Sequence, residues 1–290
     1  MTHRLRRFLL YPLAAVIPVL GLLAGLGSLG TAASASPRPV TSSATQAAAL
    51  AKAEIRQLKV GFHATNHIVS PPVRHVSGLT QVQSTNWSGY ADTGSSFSKV
   101  TASWTEPSAT CSSRTESLAA FWVGIDGYSS SSVEQDGTLI ECYQRHAYQY
   151  TWWEMYPANA IQVVGSTAAA GDKITASVVR SGTGYALTVT DATHPANSFT
   201  TTQTCSNCAN TSAEWIAEAP SGSSGVLPLA HFSTWTDASS TVTEGTSAGV
   251  ISSFTDDEIT MINSSGAVKA QPGALNSSGN GFSVVWERAS

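Results

Sequence analysis

The chain has 290 residues, with 15 Lys and Arg against 19 Asp and Glu, and therefore a formal net charge of −4. The charge is unevenly distributed: residues 1–80 are basic, whereas residues 81–290 carry 7 Lys and Arg against 18 Asp and Glu, a net charge of −11. A body this acidic does not neutralise phosphates, so the composition argues against nucleic acids and anionic membrane surfaces as partners.

Residues 1–35 have the pattern of a secretory signal peptide. A basic start with three arginines precedes an apolar run that ends near Leu29, and the small residues Ala33-Ser34-Ala35 offer a cleavage site. The run is long enough for an uncleaved membrane anchor to be the alternative. Because glycine and proline interrupt it, we favour cleavage and expect a secreted, extracellular protein with no stable membrane association afterwards.

Residues 36–80 differ in composition from both of their neighbours. They carry five Lys and Arg against one Glu, a net charge of +4, and they combine an Ala-rich, helix-capable stretch with His63, His67 and His75. A solvated linker is the alternative, but a linker needs neither feature. A basic segment attached to an acidic domain favours a prosegment that binds residues 81–290, the predicted mature domain.

From residue 81 onward, period-two alternation replaces helical periodicity, and Gly, Ser, Asn and Asp separate the alternating stretches. A series of short antiparallel strands is typical of two stacked sheets, so the sequence predicts an all-β fold, an antiparallel two-sheet β-sandwich or concanavalin-like jelly roll. The predicted strands are Trp87–Ala91, Lys99–Trp104, Ala119–Ile125, Thr138–Arg145, Ala147–Met155, Ile174–Arg180, Tyr185–Thr190, Ser198–Thr204, Glu214–Ala219, Ala230–Trp235, Ile259–Asn263 and Phe282–Trp286.

All four cysteines lie in the predicted mature domain: Cys111, Cys142, Cys205 and Cys208. An even number of cysteines behind a signal peptide predicts disulfides. We expect Cys111 to pair with Cys142 and Cys205 to pair with Cys208. The spacing of the second pair also suits a metal, but no second close pair completes a tetrahedral set, so we expect no metal site.

Four short motifs follow one another in the first two thirds of this domain: WVGIDG from Trp122, EQDG from Glu134, WWEMYP from Trp152 and AEWIAE from Ala213. In this order and spacing they resemble the glutamic peptidases, the eqolisin family of acid-acting secreted endopeptidases, in a bacterial-type version. The resemblance implies two large, bent antiparallel sheets with the active site on the concave face. It also implies protein or peptide substrates and no cofactor.

The resemblance assigns the catalytic roles to Gln135 and Glu218. A glutamate can take a proton from water and return it to a departing nitrogen, and the amide N–H of glutamine can donate to an oxygen that gains negative charge. Without the resemblance, a polar turn residue and a surface carboxylate would be the simpler interpretations. Glu214 shares the strand face of Glu218 and competes for the role, but the motif favours Glu218.

The resemblance gives supporting or substrate-binding roles to a second group of residues: Trp87, Trp122, Asp126, Trp152 and Glu154. Core packing is the alternative for the tryptophans at 122 and 152, and turn formation is the alternative for the aspartate. One position departs from the family pattern, because Tyr150 stands where many members have Asp. The network of auxiliary carboxylates is therefore expected to be smaller here.

Two other functions remain open on the residues alone. A jelly-roll glycoside hydrolase would use Glu154 and Glu218 as paired carboxylates, with the tryptophans as sugar platforms, and a non-catalytic carbohydrate-binding module would use only the tryptophans. None of the seven histidines pairs with a convincing nucleophile, so nothing supports a serine triad. We therefore predict a monomeric secreted endopeptidase whose own prosegment is a binding partner.

Overall fold

Alternating apolar and small polar residues form strands along most of the chain that the computed structural model describes, which is residues 62–65, 68–76, 79–112 and 114–290. The predicted signal peptide and most of the predicted prosegment lie outside these residues. Within this part of the chain, no helix is both long enough and apolar enough to cross a membrane.

The described residues form nineteen strands and two short 3-10 helices, Pro195–Asn197 and Ile251–Ser253. The strands are β1 (Val69–Val76), β2 (Leu79–Ser84), β3 (Trp87–Thr93), β4 (Phe97–Thr105), β5 (Ser117–Ile125), β6 (Val133–Tyr143), β7 (His146–Tyr156), β8 (Gln162–Gly165), β9 (Lys173–Ser181), β10 (Gly184–Asp191), β11 (Phe199–Thr204), β12 (Ser212–Glu218), β13 (Ser221–Gly222), β14 (Gly225–Val226), β15 (Trp235–Glu244), β16 (Ser247–Gly249), β17 (Thr255–Ile262), β18 (Val268–Pro272) and β19 (Phe282–Trp286).

Two layers follow from the strand pairing. One layer has the order β1-β2-β17-β3-β12-β5-β6-β7-β8, and the other has the order β11-β10-β9-β4-β15-β19-β18. β18, the last strand of the second layer, also pairs with β17 of the first layer and so joins the two layers. Every pairing is antiparallel except that of β2 with β17. The predicted all-β, two-sheet sandwich is confirmed.

Both faces of the central strands of the first layer are buried. Successive strand residues point to opposite faces, so Phe121 and Trp215 pack in the apolar core formed with the second layer, whereas Trp122, Leu139 and Ile216 pack in a separate apolar cluster on the other face. This second cluster, which we call the outer cluster, also contains Trp87 and Trp152. The outer cluster surrounds the candidate site described below.

One predicted strand, Ala230–Trp235, is wrong. The strand in this region is β15, which begins at Trp235, while residues 229–232 contribute only isolated bridges. A register shift between Ala238 and Thr241, with Ser239 at φ 58°, breaks the period-two pattern of β15. Such bulges place two residues opposite one, which hides a strand from a search for strict alternation.

Strands also begin earlier than the predicted domain boundary at residue 81. β1 lies within residues 36–80 and β2 begins there, at Leu79, yet β2 pairs with β17 from Thr80 to Ser84 and belongs to the first layer. β1 pairs only with β2 and is therefore an edge strand. An edge strand accommodates Pro71 and Pro72, because their missing N–H groups are not needed for pairing, and these prolines obscure the strand in the sequence.

Both predicted disulfides are present, Cys111–Cys142 and Cys205–Cys208. The first joins the loop before β5 to the end of β6, across 31 residues of sequence, whereas the second closes a short loop between β11 and β12. The described residues contain no free cysteine. The first disulfide therefore links the chain that enters β5 to the end of β6.

Removing the Cys111–Cys142 disulfide should destabilise the domain more than removing Cys205–Cys208. A cross-link stabilises mainly by restricting the unfolded chain, and on that basis the longer loop contributes about 3–4 kcal/mol and the shorter loop about 1–2 kcal/mol. Urea unfolding of the two double Cys→Ser variants, at one fixed pH, measures the difference. An equal or larger loss of stability in the variant without Cys205–Cys208 would contradict this ranking.

Candidate active site

Three polar side chains emerge on the same face of the first layer, within the outer cluster. Gln135 in β6 lies directly opposite Glu154 in β7, and Glu218 at the end of β12 lies opposite Trp87 in β3. The three side chains are 0% exposed. Four adjacent strands, β12, β5, β6 and β7, thus bring one amide and two carboxyl groups to a single site.

Residues 62–65, which we call the covering segment, lie across this site. The His63 N–H donates to the Ser221 carbonyl oxygen at 3.0 Å, and the Ser221 N–H donates back to the His63 oxygen at 2.8 Å, as in an antiparallel strand pair. The Ile161 N–H donates to the oxygen of Phe62 at 3.0 Å. The main chain of the covering segment is therefore held on both sides of the site.

Glu218 is held by three hydrogen-bond donors. Its Oε2 accepts from the Trp122 indole at 3.0 Å, and its Oε1 accepts from the Thr65 N–H at 2.9 Å and from the Asn86 side-chain amide at 3.3 Å. Burial raises the pKa of Glu218 well above its usual range; the Thr65, Asn86 and Trp122 bonds oppose this rise, while the negative charge of Glu154 adds to it. The donors thus oppose the effect of burial on Glu218 but do not overcome it while the covering segment is in place.

Gln135 and Glu154 bind the residue before Thr65. The Gln135 amide donates to the Ala64 carbonyl oxygen at 2.5 Å and to Glu154 Oε2 at 3.5 Å. Glu154 Oε2 accepts from the Ala64 N–H at 2.9 Å, and its Oε1 lies 2.8 Å from Nδ1 of His63. The two polar side chains therefore contact the same residue, one through its N–H and the other through its carbonyl oxygen.

The pKa values of Glu154 and His63 both rise. Burial raises the pKa of Glu154 to about 7, although the hydrogen bonds from His63 and Ala64 lower it. The hydrogen bond to Glu154 raises the pKa of His63 above its ordinary value. A protonated imidazole and an ionised carboxylate therefore coexist near neutral pH, and the carboxylate is lost as the pH falls through about 7.

Trp87 and Trp122 both contact the candidate site. The Trp87 indole donates to the Thr65 carbonyl oxygen at 2.9 Å, and the two indole rings meet edge to face with centroids 5.0 Å apart. Trp152 is fully buried in the outer cluster, where the described residues provide no hydrogen-bond partner for its indole nitrogen. Trp152 thus packs beneath the site without a polar contact to the covering segment.

Asp126 lies outside the site and has a structural role. Its carboxylate accepts from the N–H of Asn210 at 2.7 Å and from the N–H of Thr211 at 2.9 Å. Asp126 itself has φ 71° in the turn after β5. It therefore joins that turn to the chain entering β12, which matches the turn-forming alternative rather than a direct supporting role.

Glu214 and Tyr150 are two further buried positions that the motifs single out. Glu214 is 0% exposed on the face of Glu218, and burial raises its pKa well above the usual range. The Tyr150 hydroxyl donates to Glu141 at 3.1 Å, and both residues are buried. A carboxyl group therefore still lies beside the position where Tyr150 replaces the family's aspartate.

Two glycines of the motifs allow the strands and rings to come this close. A Cβ on Gly137 would lie 2.0 Å from the backbone oxygen of Phe121, so β5 and β6 meet at a distance that only glycine permits. A Cβ on Gly124 would lie 2.7 Å from the ring of Trp122. Glycine at 124 thus leaves room for the ring that donates to Glu218.

Asn86 is the site residue that the sequence did not indicate. Besides its bond to Glu218, its side-chain oxygen accepts from the Ile68 N–H at 3.0 Å. Asn86 therefore connects the carboxyl group of Glu218 to Ile68, in the chain that follows the covering segment. Its position before Trp87 in TNWSGY was the available signal, but an isolated asparagine is more typical of a turn.

Two groups of side chains in the described residues come close enough together to hold a metal ion. Glu134 lies beside Cys205 and Cys208, whose sulfurs form a disulfide, and the other group is Asp172, Asp191 and His194. Neither group includes Gln135, Glu154 or Glu218. The candidate site therefore offers amide, carboxyl and indole groups to a ligand.

Comparisons with known proteins identify the family. Residues 85–280 match the Peptidase A4 family. The chain belongs to this family. It is 32% identical to scytalidopepsin B of Scytalidium lignicola over 152 residues, which is 51% of this chain and 56% of that protein, and 26% identical to aspergillopepsin-2 of Aspergillus niger over 59% and 68% of the two chains.

A solved structure supports the fold of this Peptidase A4 member. The crystal structure of scytalido-glutamic peptidase with a transition state analog inhibitor superposes with a TM-score of 0.60 at 24% identity, and it covers 70% of this chain and 98% of that one. The glutamic peptidase resemblance predicted from the four motifs is confirmed, while its bacterial-type form stays a prediction. The match to scytalidopepsin B spans little more than half of that relative's length.

The thermal stability of this domain should fall as the pH rises from about 4 to about 9. Burial raises the pKa of Asp92 to about 9 and that of Glu106 to about 8, and nearby carboxylates add to both shifts. Because these groups titrate near 4 in the unfolded chain, the folded state binds more protons across this window. The free energy of unfolding therefore decreases with increasing pH.

The test measures Tm at pH 4 and at pH 8. It uses the E218Q variant as the background, so that any hydrolysis by the candidate site does not affect the result. Asp92→Asn should raise Tm at pH 8 more than at pH 4, because Asp92 is 0% exposed and the variant cannot ionise. Glu287→Gln, at an exposed position, is the matched control and should change neither value. A Tm that is higher at pH 8 than at pH 4 would contradict the prediction.

Proposed function

We propose that this chain is the precursor of a secreted, acid-acting endopeptidase that hydrolyses peptide bonds with a Gln135 and Glu218 dyad and without a cofactor. One observation carries the proposal: the site satisfies the polar backbone atoms of two consecutive residues. Glu154 accepts from the Ala64 N–H, Gln135 donates to the Ala64 oxygen, Glu218 accepts from the Thr65 N–H, and Trp87 donates to the Thr65 oxygen.

Donors and acceptors in this order match a peptide and not a sugar. Recognition through the main chain suits an endopeptidase, because every extended peptide presents the same alternation of N–H and C=O groups. A glycoside hydrolase would need its two carboxylates on either side of a glycosidic oxygen. Here Glu154 and Glu218 instead accept from the N–H groups of neighbouring residues, which favours the peptidase.

The chemistry follows from what each side chain contacts. Glu218 takes a proton from a water molecule, whose oxygen attacks the carbonyl carbon, and then returns a proton to the departing nitrogen. Gln135 donates a hydrogen bond to the carbonyl oxygen as negative charge develops on it. Trp122 and Asn86 hold Glu218 in place, and Glu154 orients Gln135 and the substrate main chain.

Substitutions in the dyad test the mechanism. Glu218→Gln removes the group that takes and returns the proton, so hydrolysis of a denatured protein at pH 4 should fall to background. Gln135→Ala removes one donor to the developing oxyanion and should lower kcat by a factor on the order of 10² to 10³. Circular dichroism should show that both variants remain folded.

Glu214→Gln is the matched control, because Glu214 shares the strand, the face and the burial of Glu218 but contacts none of residues 62–65 in the hydrogen bonds described. Its effect on kcat should be mild. If Glu214→Gln abolished hydrolysis while Glu218→Gln did not, the assignment of the dyad would be wrong. A wild-type protein that hydrolysed polysaccharides but no protein substrate would support the glycosidase alternative.

The precursor is proposed to be inactive at neutral pH and active in acid, with residues 36–80 as the prosegment of a monomeric enzyme. That segment carries five Lys and Arg, the body has a net charge of −11, and His63 bonds to Glu154 inside the site. As the pH falls below about 7, Glu154 takes up a proton, and the attraction for protonated His63 weakens.

A synthetic peptide of residues 55–68 should therefore inhibit the separated mature domain more strongly at pH 6.5 than at pH 4. The inhibition constant at each pH, measured at low salt, gives the comparison. A peptide with Ala in place of His63 should lose most of the pH dependence, while a scrambled peptide of equal charge should not inhibit. Equal inhibition by the native peptide at both values would refute the proposed release.

A further inference from the structure

We propose that the covering segment is bound as a substrate and that the enzyme cuts its own chain between Ala64 and Thr65. The residue before the last one of the N-terminal product is then His63. At that position, Glu154 and Tyr156 select a cationic side chain that can donate a hydrogen bond. This inference rests on the function proposed above, and it names the substrate class that the same site prefers.

The Ala64–Thr65 peptide bond has the position that hydrolysis requires. Its carbonyl oxygen accepts from the Gln135 amide, and its nitrogen lies 2.9 Å from Glu218 Oε1. The group assigned to polarise the carbonyl and the group assigned to protonate the leaving nitrogen therefore contact the two ends of one bond. The other backbone contacts of the segment, at Phe62, His63 and Thr65, lie on either side of it.

The reaction at this bond balances with one water molecule. The water oxygen forms a bond to the carbonyl carbon of Ala64 while Glu218 takes a proton from that water. The bond between the carbonyl carbon and the Thr65 nitrogen then breaks, and the nitrogen receives a proton from Glu218. The products are a chain ending in the carboxyl group of Ala64 and a chain beginning with the amine of Thr65.

The strand order gives an independent reason for a cut at this bond. β2 pairs with β17 through residues 80–84, and β1 pairs with β2 from residue 69 onward. A cut near residue 80 would remove β1 and detach part of β2 from the first layer. A cut between Ala64 and Thr65 leaves both strands in the sheet, and the Ile68 N–H still bonds to Asn86.

His63 is the side chain of the segment that makes a specific polar contact. Its Nδ1 lies 2.8 Å from Glu154 Oε1, and its ring packs edge to face against Tyr156 with centroids 5.7 Å apart. Glu154 is fully buried, whereas the His63 side chain is 34% exposed. A buried acceptor at the base of a partly open pocket, with an aromatic wall, suits an imidazole or another donor-bearing cation.

Peptides of the form Phe-X-Ala-Thr, blocked at both ends and extended equally, test the preference at pH 6.5, where part of Glu154 is still ionised. Hydrogen bonds to charged groups are strong enough for kcat/KM with X = His to exceed that with X = Ala by about tenfold or more, and X = Glu should be the poorest substrate. Glu154→Gln and Tyr156→Ala should each reduce the ratio of His to Ala, a ratio in which a general loss of activity cancels. His146→Ala, at the exposed start of β7, is the control and should leave the ratio unchanged.

The precursor provides the second measurement. Residues 36–290 incubated at pH 4 should yield a mature chain whose mass and N-terminal sequence begin at Thr65, and E218Q should leave the precursor intact. A mature chain with another N-terminus, or equal kcat/KM for X = His and X = Ala, would overturn the proposal while leaving the peptidase function standing.

If the wild-type protein hydrolyses none of these peptides, peptide binding to the inactive E218Q mature domain tests the subsite separately from the proposed peptidase function. The product peptide acetyl-Phe-His-Ala should quench the fluorescence of the site tryptophans at a concentration about tenfold or more below that of acetyl-Phe-Ala-Ala. Equal affinities would reject the subsite. A clear preference without hydrolysis of any peptide by the wild-type protein would reject the proposed function and the self-cut, while the subsite would stand.

Discussion

Carboxyl groups that are buried without cationic partners set the conditions under which this fold is stable. Asp136, Glu214 and Asp237 are enclosed in the sandwich, and burial raises the pKa of each well above its usual range. The described residues bury one lysine, Lys269, and burial lowers its pKa to about 8. Since transferring an unpaired charge into such an interior is costly, the fold holds these groups as neutral acids. An interior with so few cations is therefore suited to acid surroundings and poorly suited to alkaline ones.

The same physical effect acts on the Glu218 carboxyl, but there the protein opposes it. Burial favours protonated Glu218, whereas hydrogen bonds from Trp122 and Asn86 favour the carboxylate. Part of that burial comes from the covering segment, because Thr65 contacts the carboxyl directly. Removal of residues 62–65 would expose Glu218 to water and reduce its desolvation, while the two side-chain donors would remain. Such a removal would change the proton affinity of Glu218 as well as access to it.

Much of this site could be predicted from the sequence, because its main components lie on regular strands within recognisable motifs. Gln135 and Glu218 were indicated by EQDG and AEWIAE, and period-two alternation placed Glu214, Ile216 and Glu218 on one face. The covering segment could not be predicted, because its contacts join His63 and Ala64 to Glu154 across about ninety residues, and no local pattern records such a pairing. The start of β6 at Val133 was also missed, since the polar residues of EQDG look like a turn although they are buried. Their burial depends on the covering segment and on neighbouring strands, which only the tertiary fold supplies.

The position of β17 has a consequence for the order of events during synthesis. β17, residues 255–262, lies between β2 and β3, which are consecutive in the chain. The first layer therefore cannot close until a strand from the last eighth of the protein has left the ribosome. Contacts of such high sequence separation form slowly, so the sheet that carries Trp87 and Asn86 is completed only after nearly all of the polypeptide exists. A nascent chain consequently has no complete candidate site until β17 has been synthesised.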